Sequence, residues 1–402
     1  MNLAKIRIML LAIIGILAAT IVNGQVWEIG YQSTTFVDAA RGNRQIEAEI
    51  FYPTDVTGVG VPLGSPADKK YPVIIFGHDL ETAWNNYAYV WNKFATQGFI
   101  VVVPKTEMGP AVDVIEFAKD LAFIASEFNV MRNLPGSFYF ERLNGKSCFM
   151  GHGVGGSAAT FAVQYYPAVT TLVSFAATET VPSAINASTL VSIPSVIISG
   201  DNDCIAPAAT NQIPMFDNID SQCKTFVNIY GATHCNFSQN AINCTVGCPP
   251  GIHSWQYVSG GSSYLVISFL RYYMKSNAPA LAKFEWKLYT KQNSWSYIFD
   301  CNVNTPRISM EESQMENTTE MSVYPNPVNS GNELNLVIGS EESTSGTLII
   351  SDLMGKVVLQ KDFSLEDDEQ SLSIPTQQFM NGYYIVSVIS QEGRISKPLI
   401  IN

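Results

Sequence analysis

The chain has 402 residues, 47% of them hydrophobic and 14% charged, which suffices for two or three domains with a sizeable core. Its 23 basic residues are outnumbered by 35 acidic ones, which gives a net charge of −12. A chain of this charge lacks the basic surface on which nucleic-acid binding depends, so nucleic acid is not an expected partner.

The N-terminus has the pattern of an export signal. Lys5 and Arg7 precede the apolar run 8–19, and residues 22–24 offer small side chains for cleavage. A membrane anchor is the alternative, but the run is shorter than the roughly 20 apolar residues that a spanning helix needs. We therefore predict a cleaved signal peptide over residues 1–24 and no permanent membrane span.

Strand-like and helix-like segments alternate over residues 25–307. Two strands, 26–36 and 45–52, are predicted to form an antiparallel opening. The β-branched runs that follow are 72–76, 99–104, 147–150, 171–175, 195–199 and 225–230, and the helical segments between or after them include 112–128, 157–166 and 262–275. Apolar strands alternating with helices predict an α/β domain, a mostly parallel sheet with helices on both faces. Ligands bind such sheets at the carboxyl ends of the strands.

The residue pattern of the C-terminal part differs from that of residues 25–307. Residues 308–320 are polar and aperiodic, which predicts a linker, and the short alternating runs of 321–402 predict a small all-β sandwich. Four of its segments are, in order, YPNPV (324–328), ISDLMGKVV (350–358), MNGYYIVSV (380–388) and KPLIIN (397–402). In this order they resemble the C-terminal sorting domain of the Bacteroidetes type IX secretion system. The resemblance implies export to the cell surface or medium, with the secretion machinery as a partner. An ordinary β-sandwich binding module is the alternative.

The segment FMGHGVGGSAA (149–159) has the pattern of a nucleophile elbow without its nucleophile. In the G-x-S-x-G elbow of α/β-hydrolases, a serine stands at the tip of a sharp strand-to-helix turn. Gly151 and Gly155 hold the outer positions here, and Gly153 stands where the serine belongs. The backbone N–H of Val154, the next residue, would face an oxyanion.

Two further residues follow strands in the order that a catalytic triad needs. Asp203 lies in the turn after strand 195–199, and His234 lies in the turn after strand 225–230. Both should reach the same sheet edge as the elbow, where a carboxylate would orient the imidazole and stabilise its charged form. By its position after the strand 72–76, Leu80 would offer a second oxyanion donor through its N–H.

A wider set of segments carries a family resemblance. They are RGNRQIEAEIFYP (41–53), FGHD (76–79), QGFIVVVPKTE (97–107), MGHGVGG (150–156), SGDNDCIAP (199–207) and GATHCNF (231–237). Residues 28–301 thereby resemble secreted bacterial α/β-hydrolases related to dienelactone hydrolases, platelet-activating-factor acetylhydrolases and polyester hydrolases. The resemblance implies ester hydrolysis through an acyl-enzyme, with Asp203 as the acid and His234 as the base. It also implies Leu80 and Val154 as the oxyanion donors.

Two departures from this family fall on functional positions. Gly153 replaces the elbow serine, and Asp79 replaces the second glycine of the family's GHGF loop. A carboxylate at position 79 would oppose the stabilisation of an oxyanion. We therefore predict a protein of esterase, lipase or cutinase-like ancestry whose catalysis is absent or very weak. If Gly153 is the whole defect, Gly153→Ser should restore reaction with a serine-directed probe.

Three alternatives stay open at this stage. The protein could be an active esterase that uses Ser157 as a displaced nucleophile or a water activated by His234. It could be a pseudo-hydrolase that binds esters, lipids or polymer fragments without cleaving them. The departures could also belong to an engineered or erroneous version of an active enzyme.

Seven cysteines in an exported chain predict disulfides, with Cys148 as a free buried thiol. If Asp203 and His234 touch, the neighbouring Cys204 and Cys235 lie at one sheet edge, and we predict that they pair. The other cysteines are less constrained: Cys223 is a poor partner for Cys204, a local Cys244–Cys248 bridge is a candidate, and Cys223 and Cys301 are left open.

No metal or nucleotide cofactor is expected, because the glycines form no Walker loop and the four histidines lack ligand spacing. The expected ligand is a small or polymeric ester, and the expected state is a monomer.

Overall fold

The computed structural model describes residues 27–239, 251–290, 294–301, 320–339, 345–352, 357–364, 369–390 and 393–402. By its contacts the chain divides into two compact units, Met1–Val303 and Asn304–Asn402. The predicted signal peptide, all of the predicted linker except Glu320, and the Cys244–Cys248 candidate lie outside the described residues.

The first unit is built on a ten-stranded sheet with the order β10-β9-β8-β7-β6-β4-β5-β2-β1-β3. Its strands are β1 (Glu28–Asp38), β2 (Arg44–Thr54), β3 (Gly58–Val59), β4 (Tyr71–Gly77), β5 (Ile100–Pro104), β6 (Leu143–His152), β7 (Thr171–Phe175), β8 (Ser195–Gly200), β9 (Cys223–Ile229) and β10 (Trp295–Cys301). The six central strands from β5 to β9 run parallel, while β2 and β10 are antiparallel to their inner neighbours. The predicted α/β class is confirmed.

Helices cover both faces of this sheet. They are α1 (Ala88–Phe94), α2 (Val114–Met131), α3 (Val154–Tyr165), α4 (Ala184–Ser188), α5 (Gln212–Asn218), α6 (Trp255–Lys275) and α7 (Pro279–Thr290). Successive side chains of a strand point to opposite faces, and β4 shows the result. Ile75 packs in the buried cluster that contains Phe117 of α2, whereas Ile74 packs in the cluster that contains Phe269 of α6.

The predicted helix 262–275 begins earlier, at Trp255. Ser254 caps it by accepting a hydrogen bond from the Tyr257 N–H. Gly260 and Gly261 lower the helical propensity of its first turns. The sequence pattern therefore did not predict these turns as helical. Tertiary packing overrides that weak preference here.

A disulfide closes the β10 edge of the sheet. Cys301 lies opposite Cys223 in the antiparallel β9–β10 pair, and the two form a disulfide. Cys223 is therefore not the partner of Cys204. Cys148 is a buried free thiol, as predicted. Cys204 and Cys235 are each disulfide-bonded, and their pairing with one another stays a prediction that non-reducing peptide mapping tests.

The second unit consists of two antiparallel sheets that share one core. Their orders are β11-β12-β15 and β14-β13-β16-β17. The strands are β11 (Glu320–Tyr324), β12 (Glu333–Gly339), β13 (Ser345–Asp352), β14 (Val357–Ser364), β15 (Glu369–Pro375), β16 (Gly382–Ser390) and β17 (Gly393–Ile401). Leu336 of β12 and Val386 of β16 belong to the same buried cluster, which matches the predicted small β-sandwich. Over the described residues of both units, the helices are too short or too polar to cross a membrane.

Candidate functional site

The elbow turn forms where the glycine pattern predicts it. β6 ends at His152, α3 begins at Val154, and Gly153 between them has φ +55° and ψ −123°. A residue with a Cβ is strained at this positive φ. The backbone at Gly155 lies close to the backbone at Gly77, because a Cβ on Gly155 would come within 2.3 Å of the carbonyl carbon of Gly77. The tip of the elbow is thus held against the end of β4.

The predicted acid and base meet at the same edge of the sheet. Asp203 follows β8, and His234 opens a short 3₁₀ helix after β9. His234 Nδ1 lies 2.8 Å from Asp203 Oδ2. The other carboxylate oxygen accepts hydrogen bonds from the N–H groups of Ile205 and Ala206, at 2.9 and 2.8 Å. Asp203 is fully buried and fixed, so it holds the imidazole in one orientation.

Asp79 completes the arrangement from the loop after β4. Its Oδ2 lies 3.0 Å from His234 Nε2, and its Oδ1 accepts a 2.8 Å hydrogen bond from the N–H of Val154. A Cβ built on Gly153 would lie 1.9 Å from Asp79 Oδ1. The carboxylate therefore fills the space of an elbow side chain and engages one of the two predicted oxyanion donors.

His152 is the fourth ionisable residue of the site, and the sequence patterns did not single it out. Its Nδ1 lies 2.9 Å from the hydroxyl of Tyr87, which also accepts a 3.0 Å hydrogen bond from the Asp79 N–H. Its ring centre lies 4.6 Å from that of His234. His152 Nε2 is buried and has no hydrogen-bond partner among the described residues. The sequence does place His152 directly before Gly153, the tip of the elbow. A histidine in a glycine-rich turn more often has a structural role, so this position alone did not indicate a functional one.

The charges around His234 hold it in its protonated form. Burial by itself lowers the pKa of His234, but hydrogen bonds to Asp203 and Asp79 outweigh burial and raise it to about 10. Burial likewise raises the pKa of Asp79, and the contact with His234 outweighs it and lowers that pKa. Burial and the neighbouring charge of His234 lower the pKa of His152 to about 4. Each ring nitrogen of His234 thus faces a carboxylate, an arrangement that favours the protonated imidazole.

Comparison with known proteins identifies the first unit. Residues 24–255 match the model of the family described as PET hydrolase-like. The chain belongs to this family. Residues 322–402 match the secretion system C-terminal sorting domain, which indicates type IX secretion to the cell surface or extracellular space, as predicted.

Among characterised proteins, this PET hydrolase-like chain is similar to enzymes that act on esters. It is 23% identical over 202 residues to bis(hydroxyethyl) terephthalate hydrolase of Streptomyces coelicolor. This match covers 49% of this chain and 57% of that protein. Over 205 residues it is 26% identical to cutinase 1 of Thermobifida cellulosilytica and to the cutinase of Thermobifida fusca. Each match covers 49% of this chain, with 68% and 59% of the respective cutinases. The matched region thus spans little more than half of two of these relatives. Ester-hydrolase ancestry follows from these similarities.

The other predicted site residues have more ordinary surroundings in this PET hydrolase-like chain. Ser157 is fully buried in α3, and its hydroxyl donates to the carbonyl of Thr178. Leu80 is 38% exposed beside Asp79, and its carbonyl accepts a hydrogen bond from Thr82. Asp79, Val154, Asp203 and His234 thus converge, whereas Ser157 is turned into the protein.

Proposed function

We propose that this chain is an exported descendant of ester hydrolases that has lost the acyl-serine mechanism and recognises apolar esters without cleaving them by that route. The observation that carries the proposal is the position of Asp79. Its carboxylate is bonded to Val154 N–H and His234 Nε2, in the space that a nucleophile at position 153 would need. An oxyanion forming there would meet a negative charge where it needs a hydrogen-bond donor.

The local contacts also argue against a displaced nucleophile or a water activated by His234. The Ser157 hydroxyl is buried and bonded to the Thr178 carbonyl, out of reach of a substrate at the elbow. A general base needs a free lone pair within reach of the proton that it removes. Both nitrogens of His234 instead face the carboxylates of Asp79 and Asp203.

The class of ligand is inferred from the side chains that flank the site along the chain. Leu80, next to Asp79, is 38% exposed, and Ile205, close after Asp203, is 45% exposed. A binding site for an apolar molecule combines apolar side chains with a few polar groups, and these two residues would supply the apolar part. The similarity to a terephthalate ester hydrolase and to cutinases supports an ester as that molecule.

Turnover of p-nitrophenyl butyrate in the presence of EDTA tests the proposal. The unaltered chain should hydrolyse it at the rate of the buffer, and Ser157→Ala should change nothing. Combining Asp79→Gly with Gly153→Ser should raise the rate by several orders of magnitude, since the nucleophile alone is worth roughly 10⁶ in kcat in a complete triad. Turnover by the unaltered chain that disappears in Ser157→Ala would contradict the proposal.

Recognition of the ester is tested separately by saturation-transfer NMR with bis(hydroxyethyl) terephthalate. The unaltered chain should give a transfer signal that Ile205→Asp weakens, because a charge beside the site disfavours an apolar ligand. Val130→Asp, at an exposed apolar residue on the α2 helix, serves as the matched control. An equal signal from both variants would contradict the assignment of the ligand.

A further inference from the structure

We propose that Asp79, His152 and His234 form a binding site for a divalent transition-metal ion of the zinc type. One ligand atom from each residue lies within 4.8 Å of the other two. Two imidazoles and one carboxylate are a ligand set that zinc accepts, with a fourth position left for water or a ligand oxygen. The proposal concerns the same Asp79 carboxylate as the proposed function and goes beyond it.

The distance between two of the donors already suits an ion, and the His152 nitrogen, within 4.8 Å of both, would have to move closer. Zinc bonds to nitrogen and oxygen at about 2.0–2.2 Å, so donors around a tetrahedral ion lie about 3.3 Å apart. Asp79 Oδ2 and His234 Nε2 are already 3.0 Å apart, bridged by a proton that the ion would displace. Gly153 adds no side chain to this space.

The hydrogen bonds behind the three ligands are those that orient metal-binding residues. Metal-bound histidines donate their second N–H to a neighbouring acceptor, and bound carboxylates are themselves hydrogen-bonded. His234 Nδ1 lies 2.8 Å from Asp203 Oδ2, and His152 Nδ1 lies 2.9 Å from the Tyr87 hydroxyl. Asp79 Oδ1 accepts a 2.8 Å hydrogen bond from the Val154 N–H. Each ligand is therefore anchored by a hydrogen bond at one atom, which leaves its other donor atom for an ion.

His152 Nε2 supplies the observation that points to a ligand. It is buried in a residue that is 1% exposed, and it makes no hydrogen bond of normal geometry in the described part of the chain, with the His234 backbone nearby. An unpaired buried polar nitrogen is costly, and native proteins seldom leave one without a function. When Nδ1 carries the proton and donates to Tyr87, the lone pair on Nε2 is free to bind a cation.

The charges also balance. A divalent cation with two neutral imidazoles and the carboxylates of Asp79 and Asp203 gives a neutral buried cluster. Unbalanced buried charge is disfavoured, so a neutral cluster suits this buried site. In this proposal, Gly153 in place of a serine leaves out the covalent nucleophile, and Asp79 supplies a metal ligand.

The test is a zinc titration of the full exported chain, without a histidine tag, after treatment with EDTA. A chromophoric chelator reports free Zn²⁺, and Co²⁺ in place of zinc reports the coordination geometry by its visible absorption. We expect one ion per chain and a four-coordinate Co²⁺ spectrum. Asp79→Asn and His152→Gln should each abolish stoichiometric binding. Asp203→Asn, which only positions His234, should weaken it about 10–100-fold.

His253→Gln is the matched control, because His253 is not one of the three proposed ligands and its ring stacks on Tyr257. It should bind zinc as the unaltered chain does, and melting curves in EDTA show whether each variant is folded. The proposal is overturned if the unaltered chain binds substantially less than one ion, or if folded Asp79→Asn and His152→Gln variants bind as tightly as His253→Gln. A negative titration leaves the ester assays in EDTA unchanged, so the two proposals fail separately.

Discussion

The carboxylate of Asp79 lies in the space that any side chain at position 153 would need, because a Cβ there would be 1.9 Å from Asp79 Oδ1. The two departures from the hydrolase pattern therefore depend on one another. In Gly153→Ser alone the new side chain would meet this carboxylate. We therefore expect that Asp79 has to be shortened at the same time for a serine at position 153 to act as a nucleophile.

This relationship predicts non-additive stabilities. Gly153→Ala should destabilise the protein by about 1–3 kcal/mol through overpacking, together with about 1–2 kcal/mol from the positive φ. In the Asp79→Gly background only the backbone cost should remain. Urea unfolding of the single and double variants in EDTA measures the coupling. Effects that add within about 0.5 kcal/mol would show that the two positions do not compete for space.

The Cys223–Cys301 disulfide should contribute strongly to the stability of the first unit. It joins residues separated by 78 positions. Closing a loop of that size in the unfolded chain is worth about 4 kcal/mol in the chain-entropy model. Replacing both cysteines by alanine should lower the free energy of unfolding by about that amount, as measured by urea denaturation. Cys148→Ala, at the free buried thiol, controls for the loss of a sulfur atom. Equal losses in the two proteins would contradict the prediction.

Lys287 should make the protein less stable near neutral pH. Its ammonium group is buried between α6 and α7, where it donates to the hydroxyl of Ser268 at 2.7 Å. Burial, with repulsion from Lys283 and Arg271, lowers the pKa of Lys287 to about 7. The unfolded chain keeps this proton up to a pH of about 10.4. Between these values the unfolded state binds more protons, so this group makes stability rise with pH.

Lys287→Met should therefore raise the free energy of unfolding at pH 7 and reduce its increase between pH 7 and 10. The gain is at most about 4 kcal/mol, since one pKa unit corresponds to about 1.4 kcal/mol. Urea unfolding at several pH values measures both effects. Lys93→Met, at an exposed lysine of α1, is the control. The same pH slope in both variants would be evidence against a depressed pKa of Lys287.

The fold was predictable because its signals are local. Continuous apolar runs such as 72–76 and 195–199 mark buried parallel strands, and the structure has β4 and β8 there. The order of Asp203 and His234 after successive strands likewise predicted that they meet. The helix α7 and the strand β10 lack such patterns, and neither was predicted.

The proposed metal site could not be predicted from the sequence in the same way. His152 is the last residue of β6, whereas Asp79 follows β4 and His234 follows β9, so no spacing along the chain connects the three. The sequence did identify Asp79 as a departure. It did not show that its side chain turns across the elbow to reach both His234 Nε2 and the Val154 N–H, since that depends on the missing Cβ at Gly153.

We propose that Asp79 and Gly153 together abolish the acyl-serine mechanism. Labelling with a fluorophosphonate probe, followed by mass-spectrometric mapping in EDTA, tests it most directly. The unaltered chain and Gly153→Ser alone should show no specific label. Asp79→Gly combined with Gly153→Ser should be labelled at position 153, and adding His234→Ala should remove that label. Strong labelling of the unaltered chain, at Ser157 or any other serine, would contradict the account.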